Sequence, residues 1–194
     1  MKVIGLTGGV GSGKSLVAQI LKEETGAELV ITDDIGHIVM AKTGSAFDLV
    51  VERFGNEIVS KSGEIDRKKL ADIVFNDKKA IRDLNDIVHP KVKEYIEQYI
   101  ESRKEKAGNI ILESAILFET GCDKYCDEIW YVYVPGDIRI ERLKESRGYS
   151  VQKCEAVMAS QKPDEFYISR SDRVIKNDGS VEMLREILKN ISKN

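Results

Sequence analysis

The sequence predicts an α/β protein of three layers, with a central parallel sheet of about five strands covered by helices on both faces. Five short runs rich in apolar, β-branched and aromatic residues are spaced along it: "KVIGLT" at 2–7, "ELVIT" at 28–32, "NIILES" at 109–114, "EIWYVYV" at 128–134 and "RVIKN" at 173–177. Each is followed by a segment with helical potential, which is the alternation that builds a parallel sheet. A length of 194 residues suits one such core with inserted subdomains and requires no second independent domain.

Composition narrows the class. A charged fraction of 32% beside a hydrophobic fraction of 42% belongs to a soluble globular chain. A net charge of −3 argues against broad coating of nucleic acid. The apolar run in "MKVIGLTGG" is too short and too glycine-broken for a signal peptide or a membrane span. The expectation is a cytoplasmic protein with a small-molecule partner, acting as a monomer or weak homo-oligomer without nucleic acid or membrane. Cys122, Cys126 and Cys154 lack zinc-type spacing, and with His37 and His89 as the sole histidines they read as reduced structural thiols.

The first strand runs into glycines and then into "KSLVAQILKEE", where Leu16, Val17, Ile20 and Leu21 recur at helical spacing. After the second strand, residues 34–108 have almost no strand signal and read as a helical insertion. Its amphipathic pieces are "AFDLVVERF", "DRKKLADIVF" and "DKKAIRDLNDIV", with Ile65, Leu70, Ile73, Val74 and Phe75 as core. The last of these helices is expected to halt near His89-Pro90, because a residue before proline disfavours the α region, and a new helix to begin in "KVKEYIEQYIESRKEK". Between the last two strands, residues 141–173 are rich in arginine, lysine and serine and are broken by "SRGYS" and "KPDE", which reads as a lid.

Between the first strand and the first helix, Gly8, Gly13, Lys14 and Ser15 fit GxxxxGK(S/T), the phosphate-loop pattern. Glycines let the backbone wrap phosphates with its amide hydrogens inward, and the helix N-terminus adds a favourable dipole. Gly8, Gly9, Val10, Gly11, Ser12, Gly13, Lys14, Ser15 and Leu16 are therefore the expected ATP contacts, with Lys14 bridging the terminal phosphates and Ser15 holding Mg2+. The loop establishes binding, not the reaction. A base-reading NKxD string is absent, and the third strand offers a single acidic residue, Glu113. The short chain, the helical insertion and the arginine-bearing lid favour a nucleoside- or nucleotide-kinase-like enzyme over a motor or switch NTPase. A kinase acting on another nucleotide, and a non-catalytic ATP-binding regulator, are the alternatives.

Asp33 and Asp34 follow the second strand, and ligands of parallel sheets gather at strand carboxyl ends. Asp33 is then placed to accept a hydroxyl proton, with Asp34 the cap or solvent residue of the pair. Glu113 either orients a magnesium-bound water or the substrate, or is a strand-end charge reaching solvent. His37, on the helix after Asp33, either touches substrate or packs. Arg139, Arg142, Arg147, Arg170 and Arg173 lie in or beside the lid, and of these Arg142 is chosen to neutralise charge on the transferred phosphate.

Together "GLTGGVGSGKS", "ITDDIGH", "GEIDRKKLADIVF", "IVHP", "ILESAILFETG" and "SDRVIKNDGS" resemble the dephospho-coenzyme A kinase family, in order and over nearly the whole chain. The resemblance implies a P-loop kinase fold and ATP-dependent phosphorylation of the ribose 3′-hydroxyl of dephospho-coenzyme A, the last step of coenzyme A synthesis. It also implies Asp33 as base, His89 of the His-Pro pair at the acceptor site or bracing a helix break, and Asn177 against the adenine. The family's usual Asp-Ala-Asp is here Ile31-Thr32-Asp33, and its arginine four residues before a glutamine is here Val157 before Gln161.

Overall fold

The computed structural model describes residues 1–75, 77–106 and 108–192. Five strands, β1 (Val3–Gly8), β2 (Glu28–Ile31), β3 (Ile110–Glu113), β4 (Glu128–Tyr133) and β5 (Arg173–Lys176), form one parallel sheet in the order β2-β3-β1-β4-β5. All five match the apolar runs expected to be strands, and the three-layer α/β class is the one observed. The three inner strands β3, β1 and β4 pair on both sides and the edge strands β2 and β5 on one.

The helices are α1 (Lys14–Thr25), α2 (Thr32–Val39), α3 (Phe47–Phe54), α4 (Arg67–Phe75), α5 (Lys78–Glu101), α6 (Gly136–Arg147), α7 (Val151–Ala159), α8 (Asp164–Ile168) and α9 (Val181–Ile191). The chain forms two compact units, Met1–Ile31 with Glu105–Asn194, and Thr32–Lys104.

The first unit contains the sheet. Val17, Ala18, Ile20 and Leu21 of α1 and Leu184 and Leu188 of α9 join Leu6, Ile111, Trp130, Val132 and Ile175 of the strands in one buried cluster. The apolar stripe of α1 is thus what seats its N-terminus at the end of β1. No side chain caps that N-terminus: Gly13 stands there at φ 80, ψ 29, a left-handed conformation that favours glycine. At the other end Gly26 closes the helix, its N–H donating to Lys22 O at 2.9 Å.

The second unit is helical, with α5 packed against α2, α3 and α4. Here the sequence expectation fails: α5 is one helix of 24 residues with Pro90 inside it and no halt at His89-Pro90. Proline removes one backbone donor and crowds the carbonyl four residues back, at Asp86. Against that local cost, Ala80, Val88, Val92 and Ile96 are buried on both sides of the proline. A stripe that continues in phase across Pro90 rewards continuing the helix, and tertiary packing outweighs the local rule. Asp77 caps the start, its side chain accepting from Lys79 N at 2.7 Å. The next difference is at α2, which begins at Thr32, so Asp33 and Asp34 both sit in its first turn and both are exposed. Their charges complement the helix dipole there.

Candidate active site

Residues 8–15 join the central strand to α1, and three side chains from distant parts of the sheet unit grip this loop. Asn177, buried just after β5, donates its amide to Ser12 O at 2.8 Å. A Cβ on Gly13 would lie 2.5 Å from that same amide nitrogen, so the close approach, as well as the positive φ, favours glycine there. Val10 N–H donates to Gln161 Oε1 at 2.8 Å, and Val10 O accepts from Arg139 Nε at 2.9 Å. Within the loop Ser12 N donates to Gly9 O at 3.1 Å, and Lys14 Nζ donates to Gly8 O at 3.0 Å. The result is a fixed backbone arch beside an uncapped helix N-terminus, an environment suited to phosphate oxygens.

Glu113 closes β3 and pairs in register with Leu6 of β1 and Ile31 of β2. It is 6% exposed, so the reading of a strand-end charge reaching solvent is set aside. Its Oε1 accepts from Ser15 Oγ at 2.9 Å, while Oε2 is buried with no hydrogen-bond partner among the described residues. An unpaired buried carboxylate oxygen is costly. Next to the Ser15 hydroxyl, it is a hard oxygen donor of the kind suited to a magnesium ion. The buried hydroxyls of Thr7 and Ser12 are likewise without hydrogen-bond partners among the described residues.

Of the lid arginines, Arg142 points to the loop: its NH1 is 3.8 Å from the position a Cβ on Gly13 would take. Its guanidinium has no hydrogen-bonding or ion-pairing partner among the described residues. The others are occupied elsewhere. Arg147 lies over Tyr149 at 5.9 Å, Arg170 over Phe166 at 4.1 Å and Arg173 over Trp130 at 5.6 Å. Arg139 is 6% exposed and bound to the loop backbone.

In the helical unit, Asp33 and His37 lie one turn apart on α2. His37 lines a cavity of about 370 Å³ whose walls include Met40, Ile65, Leu70 and Val74, with Glu64 and Arg67 as its charged members. His89 is on α5, half-buried, and does not line this cavity. Burial lowers its pKa, with Lys93 adding to the effect and Asp86 opposing it.

This geometry belongs to a phosphate-binding kinase core, and comparison with known proteins specifies which. The family model for dephospho-CoA kinase matches residues 2–183. The chain belongs to the dephospho-CoA kinase family. A dephospho-CoA kinase of Carboxydothermus hydrogenoformans is 37% identical over 187 residues, covering 96% of this chain and 90% of that protein. One from Fusobacterium nucleatum is 37% identical over 182 residues, covering 94% of this chain and 92% of its own. A crystal structure from Thermus thermophilus superposes with a TM-score of 0.79 at 29% identity, covering 99% of this chain and 96% of that one.

Seen as a dephospho-CoA kinase family member, the chain brings Gly8 through Leu16, Glu113, Arg142 and Asn177 into one unit, and Asp33, His37 and His89 into the other. Asn177, expected against adenine, has its amide nitrogen committed to the loop carbonyl of Ser12 and supports the loop in this position. Arg139 and Gln161 were not singled out as site residues by sequence reasoning. The signal for Arg139 was its place four residues before Leu143, the other buried residue of α6. Gln161 was marked only as the glutamine of the family's arginine–glutamine spacing, and its role could not be read there because its partner Val10 is 151 residues away.

Proposed function

We propose that this chain phosphorylates the ribose 3′-hydroxyl of dephospho-coenzyme A with ATP, giving coenzyme A and ADP, the final step of coenzyme A synthesis. The observation that carries the reading is the Ser15–Glu113 pair beside the braced loop, in a chain of the dephospho-CoA kinase family. ATP phosphates occupy the loop, on the amides from Gly11 to Leu16 and the Lys14 ammonium. Ser15 Oγ and Glu113 Oε2 are the oxygens that would hold Mg2+. When bound, the ion neutralises phosphate charge and fixes the terminal phosphates for in-line transfer.

Asp33 accepts the proton of the acceptor hydroxyl as that oxygen bonds to the γ-phosphorus. The bond from phosphorus to the β-phosphate oxygen breaks, and ADP leaves. Lys14 and Arg142 stabilise charge on the oxygens of the group in transfer. The acceptor is assigned to the helical unit, where the cavity offers an apolar wall for the pantetheine arm and Arg67 for its diphosphate. His37 contacts the acceptor from the same cavity, and His89 braces α5 or reaches the acceptor from it. No helix among the described residues is long and apolar enough to cross a membrane.

The test is ADP release with magnesium-ATP and dephospho-coenzyme A, run beside AMP, UMP, dTMP and adenosine, with products weighed by mass spectrometry. Coenzyme A from the first acceptor alone is the expected result. Transfer to another acceptor instead overturns the substrate assignment, and transfer to none overturns the kinase assignment.

A further inference from the structure

The phosphate loop is held from outside by a polar chain that no step of the reaction above uses. Both backbone groups of Val10 are taken, the N–H by Gln161 Oε1 and the carbonyl by Arg139 Nε. Arg139 NH2 donates to the same glutamine oxygen at 3.1 Å, which closes a ring of three hydrogen bonds around one residue. The remaining guanidinium nitrogen lies 3.5 Å from Asp164 Oδ1, and that oxygen also accepts from Tyr131 Oη at 2.6 Å. Tyr131 is stacked on Tyr167 at 5.2 Å and 6°, and the Tyr167 hydroxyl donates to Glu119 at 2.9 Å.

Arg139 is too deeply buried to contact solvent freely, so its charge and its donors must be met inside the protein. The planar fork meets them in one geometry only, with Val10, Gln161 and Asp164 each in place. The fit is close: a Cβ on Gly9 would overlap the guanidinium. An alanine there would push either the loop or Arg139 aside. Gln161 comes from the connection between α7 (Val151–Ala159) and α8 (Asp164–Ile168), so this segment supplies the acceptor on which the Val10 amide depends.

We infer that Arg139 and Gln161 are positioning residues for the nucleotide phosphates: they hold Val10 by its N–H and its carbonyl and so preset the amides of the following residues. Resting on the kinase reading above, this makes loop geometry depend on where the α7–α8 connection sits. Preorganised donors matter because a misplacement of about 1 Å can cost on the order of 10²-fold in rate. A purely structural role would lower stability and affect both substrates alike. A positioning role acts on the nucleotide alone.

Three variants separate the two. Gln161→Leu keeps the shape and removes the acceptor for Val10 and Arg139. Gln161→Glu returns an oxygen to the same place, its charge matched by Arg139. Arg139→Met removes the fork, and where it does not fold the glutamine pair carries the test. Isothermal calorimetry with magnesium-ATP is expected to show affinity about tenfold weaker in Gln161→Leu and largely restored in Gln161→Glu. KM for ATP should rise by a similar factor while KM for the acceptor and the melting temperature stay close to wild type. Wild-type nucleotide affinity in Gln161→Leu overturns the inference, as does an equal loss for both substrates accompanied by a lower melting temperature. Because calorimetry needs no acceptor, a wild-type chain that binds ATP but transfers to nothing would sink the function reading and leave this comparison decisive.

Discussion

The Ser15 hydroxyl donates to one carboxylate oxygen of Glu113 at 2.9 Å, and the other oxygen of that carboxylate is buried without a hydrogen-bond partner among the described residues. A hydroxyl from the start of α1 and an anion from the end of β3 are thus held together by the pairing of β1 with β3. Removing the charge while keeping the shape tests what the free oxygen is for. Glu113→Gln is expected to lower turnover by about 10²-fold and to raise the magnesium concentration needed for half-maximal rate. The measurement is a magnesium titration of initial rate. An unchanged titration midpoint would release Glu113 from the metal site.

Asp33 is exposed in the first turn of α2, where an amide of the same shape can be accommodated without repacking. Asp33→Asn is expected to depress turnover by roughly 10² to 10⁴-fold, the range for loss of a general base, and to leave ATP affinity within about twofold. Steady-state kinetics beside calorimetric ATP binding checks both halves. Near-normal turnover would remove Asp33 from the role of base.

Pro90 is exposed on a continuous α5 and denies Asp86 O its helical partner. Pro90→Ala restores that donor and is expected to stabilise the chain by about 1 to 3 kcal/mol, the upper figure being the helix-interior cost of proline. A rise in the urea midpoint with unchanged slope is the expected readout. A lower midpoint would show that α5 has adapted around the proline ring.

His89 is held neutral by burial and by Lys93, its pKa lowered from the ordinary value of 6.5. In the unfolded chain it takes up a proton near 6.5, and in the native protein it does so only at lower pH. Stability is therefore full above the unfolded value of 6.5 and falls as pH drops from there toward the native pKa. Urea midpoints at pH 7.5 and 5.5 should differ in this direction, with part of the difference gone in His89→Gln. An identical slope in the variant would assign the loss to other groups.

Much of this was legible in the chain itself. The loop from Gly8 to Ser15 could be read as a string because its phosphate donors are consecutive backbone amides, so the site is local by construction. The five strands could be read because strands covered on both faces are continuous apolar runs. The motifs from "ITDDIGH" to "SDRVIKNDGS" likewise pointed to the family that the comparisons establish.

What one position does, given partners far away, was decided only in three dimensions. Arg139 and Arg142 are three residues apart on α6 and alike in composition, yet one is buried against Val10 and Gln161 and the other is free beside Gly13. Glu113 had two readings until the register of β1 against β3 placed it on a hydroxyl 98 residues away. Pro90 obeyed a local rule in the string and lost to a stripe buried along the whole of α5. Periodicity and backbone preference are properties of neighbours in sequence, and the chain states them directly. Burial and hydrogen bonding of a single side chain are set by whichever groups the fold brings to it, and these are settled only when the sheet and helices have packed.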